Sequence, residues 1–474
     1  MKKNILIILA FISFFGCDEY LNELPDNRQT VTTLDDISEL LVSAYSEGTY
    51  TFVEWKTDNV TAIPDNTQLD WMTENYQYIP VVSEEGQDTP TYFWESGYQA
   101  IAHANQALEG LNDIDGGDIA YRNALRGEAL MSRAYHHFML ANVFCQHYND
   151  ANKTELGIPY ITAPETNLIV EYDRGTLEET YEMIEQDLLE ALPLISDNYY
   201  TGTGKYHFTK SAGYAFASRF YLFKGDYEKC IEYSNMLLGD GLINTTYIRD
   251  MAEVFTGTSA DQIADQYNDV NLPSNIFVVR KESFADRYFR GYRMNTAIFT
   301  QVVRNNIQFS ADQRDLLYSF GTQARQQPKY NELFEFTTAT TGFGYIIMTQ
   351  LRGEEVIFNR MESYVRLNRL DDALNDYNVF APLRYDTGGQ LTIPIINAGF
   401  GGTEQEAMLN FVLLERRKEF LAEGLRWFDI KRLNLEVTHI DVNGNEFVLG
   451  EEDLRKAIQI PEKATVNGIE ANPR

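Results

Sequence analysis

Leu414-Glu415-Arg416-Arg417-Lys418-Glu419-Phe420-Leu421-Ala422-Glu423-Gly424-Leu425-Arg426-Trp427-Phe428-Asp429-Ile430-Lys431-Arg432-Leu433 is dense in both charge and large apolar groups. At helical period it gathers Phe420, Gly424, Trp427 and Phe428 on one face. It also sets Glu415 against Lys418, Glu423 against Arg426, and Arg426 against Asp429, each three residues apart. An exposed pair of that kind contributes only about 0.2–0.5 kcal/mol, so these charges lock a structure only where they are partly buried. The segment is expected to be a helix docked on a core, with Trp427 inside it.

Outward from it, most of the chain keeps the helical period. Tyr92, Trp94, Tyr98, Ile101, Ala104, Asn105 and Leu108 recur at three- and four-residue steps, and 120–147 continues the pattern with Ala124, Leu125, Ala129, Ala134 and Phe138. Between them Asp113 to Asp118 is a breaker; it lacks the residue order of a calcium loop and reads as a turn. Thr176 with Glu179 forms a capping box for a helix ending near Leu192, before Pro193. A helix opening at Thr209 or Ser211 runs to Lys224, Gly225-Asp226 turns the chain, and Tyr227 to Leu238 returns. Residues 353–379 repeat that hairpin, setting Tyr221 against Tyr364, Gly225 against Asn368 and Cys230 against Ala373. Gly and Asn best tolerate the left-handed backbone that a helix end needs, and aromatic, turn, acid and small residue in that order is a tetratricopeptide-like pattern. The expected fold is mainly α: helical hairpins forming a scaffold, with loop-rich insertions around 240–345 and 380–410 and a few short β-hairpins. Ile276 to Val279 and His439 to Val448, around Asn443-Gly444, read as the β elements.

The chain has 474 residues, with 39 Lys and Arg against 70 Asp and Glu, a net charge of −31. Binding to duplex nucleic acid or to a membrane through a basic patch needs clustered cations and is disfavoured. An apolar fraction of 44% supplies a large core and argues against disorder. Three cysteines form neither a CxxC pair nor a zinc set; Cys145 and Cys230 read as packing residues. There is no H-E-x-x-H, G-x-S-x-G or Walker loop. His136 and His137, adjacent on a helix, point about 100° apart and cannot share one metal. No cofactor and no metal are expected.

The first residues set a location. Lys2 and Lys3 precede an apolar run from Ile5 to Phe15, too short for the ~20 residues of a spanning helix, and the run ends at Gly16-Cys17. This resembles a bacterial lipoprotein signal, with residues 1–16 removed, Cys17 acylated and 17–33 a tether; the alternative is an ordinary secretory signal with an incidental cysteine. Asp18-Glu19 resembles a surface-export signal of Bacteroidetes lipoproteins. Residues 34–474 are expected to form one domain.

With those parts together, the C-terminal segment resembles the ERR-x-E-F-x-x-E-G-x-R-W-F-D-x-K-R signature of the SusD/RagB family, surface nutrient-binding lipoproteins of Bacteroidetes. Arg126 to Phe138 is similar to the family's R-x-E-A-x-x-x-R-A-x-x-x-F helix, followed by Gly157-Ile158-Pro159-Tyr160. Trp94, Tyr98, Ile101, Ala104 and Asn105 match its W-x-x-x-Y-x-x-I-x-x-A-N helix, and Asp312, Arg314 and Asp315 its D-x-R element. The resemblance implies about four tetratricopeptide-like units, a ligand face made by loops, attachment to the outer membrane, and a partner, a SusC-like TonB-dependent transporter to which captured oligosaccharide is delivered. It implies no catalysis, and a structural role for the ERR segment.

Sugar binding asks for flat aromatic faces against the apolar side of a sugar ring and for planar polar groups at its hydroxyls. Trp71, Tyr76 and Tyr78 stand in a polar, non-periodic stretch between Pro64 and Pro80, with Asp65, Asn66, Gln68, Asp70 and Asn75 beside them. Aromatics outside helical periodicity are the better ligand candidates, although Tyr and Trp also anchor loops by their polar tips. Phe284, Arg287, Tyr288, Arg290, Tyr292 and Arg293 form a second aromatic and arginine loop, suited to a ligand or to the transporter. Trp94 reads as core. Three rivals stay open: the same architecture binding peptide or another nutrient, a structural adaptor, and a surface hydrolase.

Overall fold

The computed structural model describes residues 31–474 apart from 65–67, 166–169, 242, 288–290, 308–309, 318, 321–322 and 387–389. The signal, the lipidation residue Cys17 and most of the tether lie outside the described residues.

Helices form where the apolar period and a cap coincide. Thr33 closes a capping box on Leu34–Val42, and Asp118 caps Ile119–Phe144 after the expected break at the end of Pro90–Asp113. Thr176 and Glu179 make the predicted box on Leu177–Ala191. Among the described residues, four pairs of consecutive helices are joined by short connections and pack on each other: Pro90–Asp113 with Ile119–Phe144, Lys210–Lys224 with Tyr227–Leu238, Gly353–Arg366 with Leu370–Phe380, and Ile393–Phe400 with Glu404–Glu419. The fold is therefore the mainly α, hairpin-built scaffold expected. The last pair occupies much of 380–410, which had been read as an insertion.

The repeat between the second and third pairs is physical. Gly225 and Asn368 both have left-handed backbones, φ 82° and 57°. At the first turn the N–H of Gly225 donates to Leu222 (3.2 Å) and that of Asp226 to Tyr221 (3.0 Å). At the second, Asn368 donates to Val365 (2.9 Å) and Arg369 to Tyr364 (2.8 Å). Cys230 and Ala373, the small residues of the pattern, are fully buried, which lets the helices approach closely.

The insertions carry the strands. Asn275–Lys281, Gly342–Arg352 and Leu333–Phe336 form an antiparallel sheet with the long strand central, Val278 opposite Thr349 and Leu333 opposite Tyr345. Thr61–Ala62, Tyr292–Asn295, Ala324–Gln326 and Ser319–Phe320 form a second, and Val437–Ile440 pairs with Glu446–Leu449 as the predicted hairpin. One apolar core runs from Leu34 to Ile460, with a small satellite of Met294, Phe299, Val302, Val303 and Leu421.

Candidate functional site

The 64–80 stretch is more ordered than its sequence suggests. Asp70–Tyr76 is a helix that buries Trp71, Met72, Asn75 and Tyr76 on one side. It is short, and Leu69 at its start makes no side-chain cap, so no local signal announces it. The expectation of open aromatic faces is corrected here. Tyr76 lies between Tyr292 and His439, each ring 4.0 Å away and nearly parallel, so both of its faces are covered. Trp71 packs edge-on against Trp55 at 5.1 Å. Tyr78 stacks on His439, and its hydroxyl donates to the Lys56 carbonyl (3.2 Å). Of the predicted site residues described in this stretch, Asp70 is the exposed one.

The two predicted loops do meet. Beyond its stack on Tyr76, Tyr292 donates its hydroxyl to Gln68 Oε1 (3.1 Å) or Thr73 Oγ1 (3.0 Å). Arg287 is engaged by protein on three sides: Ser283 O (2.7 Å), Glu332 (2.9 Å) and Gln87 Oε1 (3.2 Å). Tyr288 and Arg290, like Asp65 and Asn66, lie outside the described residues. Tyr292 and Arg293 border a cavity of about 60 Å³ with Thr51, Glu54, Trp55 and Asp286, room for a few waters and far less than the ~300 Å³ of an ordinary ligand pocket.

Asn75 and Tyr78 also line a second cavity, of about 210 Å³, with Lys56, Ile79, Pro80, Arg455, Pro461 and Arg474. Asn75 is fully buried; its Nδ2 donates to Trp71 O (3.1 Å) and its Oδ1 has no partner among the described residues. Lys56 is 5% exposed and its ammonium donates to a backbone carbonyl, that of Asn75, at 3.2 Å. Burial first, then the Arg474 and Arg455 guanidinium groups, pull that ammonium down to about 7. Arg455 is paired with Asp453 at 2.6 Å. A wider groove of about 580 Å³ runs between Glu47, Tyr92, Glu95, His103, Tyr206 and Arg280. Sequence reading named Asn75 and Tyr78 of the smaller one as ligand candidates but none of the other wall residues, because these come from segments hundreds of residues apart and no spacing records that.

The signature segment is two helices, Glu404–Glu419 and Leu425–Arg432, and not one. Ala422 and Gly424 between them have φ 62° and 79°, and a Cβ on Gly424 would lie 3.1 Å from Tyr50, so the turn calls for glycine there. Glu54 catches this turn, accepting from the N–H groups of Ala422 (3.1 Å) and Gly424 (3.0 Å) and from Asn59 Nδ2 (2.9 Å). The break re-pairs the charges. Glu415–Lys418 forms as expected at 2.6 Å. Glu423 instead meets Lys329 and Arg352, Arg426 meets Asp58 at 2.9 Å, and Asp429 meets Arg432 at 2.8 Å.

These charges are buried, which supplies the condition the sequence demanded. Arg314 reaches Asp312 and Glu415 at 2.8 Å and the Tyr385 hydroxyl at 3.0 Å. Arg384 holds Glu419 at 2.8 Å, and Arg432 holds Glu362. Burial pushes the Glu415 carboxyl up, but Lys418 and Arg314 outweigh it and hold it at about 2; Arg432 does the same for Glu362, also at about 2. The other motifs join a second set: Arg133 binds Asp187 (2.7 Å) and Asn105 Oδ1 (2.9 Å), and Tyr160 donates to Asp187 (2.6 Å). His136 and His137 are buried and accept from the N–H groups of Ser46 (3.1 Å) and Ile161 (3.0 Å). Burial drives each to about 3, as suits neutral structural histidines.

A hairpin frame clamped by buried ion pairs, with strand-bearing insertions beside it, defines a scaffold class whose motif residues serve the frame. Comparison with known proteins gives that class a family. A family model described as "Starch-binding associating with outer membrane" matches residues 19–222, and the SusD family model matches 335–467, so the two span well over half the chain. The chain belongs to the SusD/RagB family. Its fold is similar to that of a SusD superfamily protein from Bacteroides thetaiotaomicron, with TM-score 0.70 and 18% identity, covering 94% of this chain and 100% of that one. A SusD-like carbohydrate binding protein from Bacteroides vulgatus gives TM-score 0.67 and 18% identity over 92% and 96% of the two chains. A SusD superfamily protein from Bacteroides fragilis gives 0.67 and 19% over 91% and 96%. No curated protein matches the chain. Among the described residues no helix is long and apolar enough to cross a membrane.

Proposed function

We propose that the protein is a non-catalytic, lipid-anchored glycan-binding protein of the outer-membrane surface, which captures oligosaccharide and hands it to a SusC-like TonB-dependent transporter. The observation that carries this reading is membership of a family one of whose matching models is described as starch-binding and associated with the outer membrane. The Gly16-Cys17 pair at the end of the apolar N-terminal run supports the anchor, since acyl chains buried at ~0.8 kcal/mol per CH₂ hold a folded body at a bilayer. Residues 34–474 act as one binding unit. Within it, ligand is received at the cavity beside Asn75 and Tyr78, while Trp71, Tyr76, Arg287 and Tyr292 brace the loops that shape it. The test is affinity electrophoresis of the mature protein through a panel of neutral, amine-bearing and acidic glycans, alongside titration with a peptide mixture. Retardation by at least one glycan is expected. Binding to peptide with retardation by none would replace sugar with peptide as the cargo. For the anchor, globomycin treatment or a Cys17→Ala change should leave the precursor unprocessed and unlipidated; normal processing would remove that part of the reading.

A further inference from the structure

We propose that the cavity beside Asn75 selects an acidic sugar unit, such as a hexuronic acid, whose anionic group is received by Lys56 and whose hydroxyls meet Asn75. This rests on the glycan-binding reading and narrows it to a substrate class.

Three observations converge. First, the cavity is about 210 Å³ and bordered by Pro80 and Pro461 as well as polar groups; it lies below the ~300 Å³ of an ordinary ligand pocket and so suits a single small unit of a ligand, not an extended chain. Second, Lys56 on its wall is a buried cation that, among the described residues, meets no carboxylate. Lys56 donates to a carbonyl, and the neighbouring acids are committed elsewhere: Asp453 to Arg455 and Glu85 to Lys463 at 2.7 Å. Glu462 stands exposed at the rim. Arg474 donates to the Leu454 and Pro473 carbonyls. A buried ammonium held only by a neutral acceptor costs free energy that an incoming anion would offset. In a chain of net charge −31, a small cavity whose lining carries Lys56, Arg455 and Arg474 against Glu85 and Glu462 stands against the general field. Third, Asn75 Oδ1 is buried on the same wall without a partner, and an amide oxygen left so needs a donor. A sugar hydroxyl supplies that donor once the Asn75 amide, itself fully buried, turns toward it; a halide does not.

The adjacent rings fit this assignment. Tyr78 has one face on His439, with Lys56 and Arg455 each 5.8 Å from its centroid. Aromatic stacking is therefore already taken up by the protein, and recognition falls to charge and hydrogen bonds.

The experiment titrates the mature protein calorimetrically with three sets of oligosaccharides of matched length: uronic acid-containing, sulfated, and neutral. Each is repeated with Lys56→Met, Arg455→Gln and, as a control away from the cavity, Tyr206→Ala. The expected result is tightest binding in the uronate set, with affinity falling about tenfold or more in Lys56→Met, less in Arg455→Gln, and unchanged in Tyr206→Ala. Thermal melting of each variant shows that it is folded. Uronates bound equally by wild type and Lys56→Met would overturn the proposal while leaving glycan binding intact. So would a preference for the neutral set. A preference for sulfated sugars that is lost in Lys56→Met would keep the cation and replace the carboxylate. Absence of binding to every saccharide would overturn the proposed function and this inference with it.

Discussion

The signature segment and the Lys56 cavity both bury cations, and they treat them in opposite ways. Around Arg314, Arg384 and Arg432 each guanidinium is met by carboxylates at hydrogen-bonding distance, and the carboxylates are held ionised. Lys56 has an ammonium of similar burial and a single carbonyl. In the first region charge is closed within the protein, which gives geometric specificity to the frame. In the second it is left open. The residues of the ERR segment thus hold the frame, while Lys56 is left open to the cavity.

The largest test of that contrast removes a member of the closed set. Arg314→Ala leaves Asp312 buried without its cation and Glu415 with one cation, Lys418, and is expected to cost about 3–5 kcal/mol, measured by urea unfolding; a loss below about 1 kcal/mol would mean the lattice is far less coupled than its distances suggest. Acid comes next. Glu415 and Glu362 titrate near 2 in the folded chain against an ordinary 4.5. Their stabilisation is full above about pH 4.5 and is lost as pH falls through that window towards 2, because the unfolded chain there binds more protons. A melting temperature that stays flat from pH 5 to 2.5 would contradict it. Gly424→Ala puts a Cβ on a left-handed residue against Tyr50 and should cost about 1–2 kcal/mol, read as a drop in unfolding midpoint; the neighbouring Ala422 shows that the region accepts a Cβ where space allows. Smallest is Lys56→Met, which exchanges an unmatched ammonium for an apolar chain of similar length. Its stability should stay within about 1 kcal/mol of wild type or rise. A collapse on the scale of Arg314→Ala would erase the distinction between the two regions.

Much of the frame was legible in the sequence for simple reasons. The hairpins at 210–238 and 353–380 combine an apolar period with a turn residue that tolerates positive φ, and the capping box at Thr176 is a local device. The signature's burial followed from its apolar face, but its break did not. Ala422 carries no local mark of a left-handed backbone, and the partner that stabilises the turn, Glu54, is remote in sequence. The two aromatic loops are named separately in the sequence, and their meeting and their burial are visible only in the fold: Trp71, Asn75 and Tyr76 share a helix face too short to show a period. The Lys56 cavity draws on residues near 56, 75–85 and 455–474, and only the folded topology brings them together.

The Glu54 catch has a bearing on how the protein is made. Asp58 and Asn59, close by, also reach forward to Arg417 and Arg426. An early segment thus waits, during synthesis, for nearly the whole chain to emerge before its acceptors find their donors. Closure of that kind has a high entropic cost and comes late. The clamp between the two ends of the frame therefore closes only after the C-terminal helices have emerged, whatever the earlier hairpins have already formed.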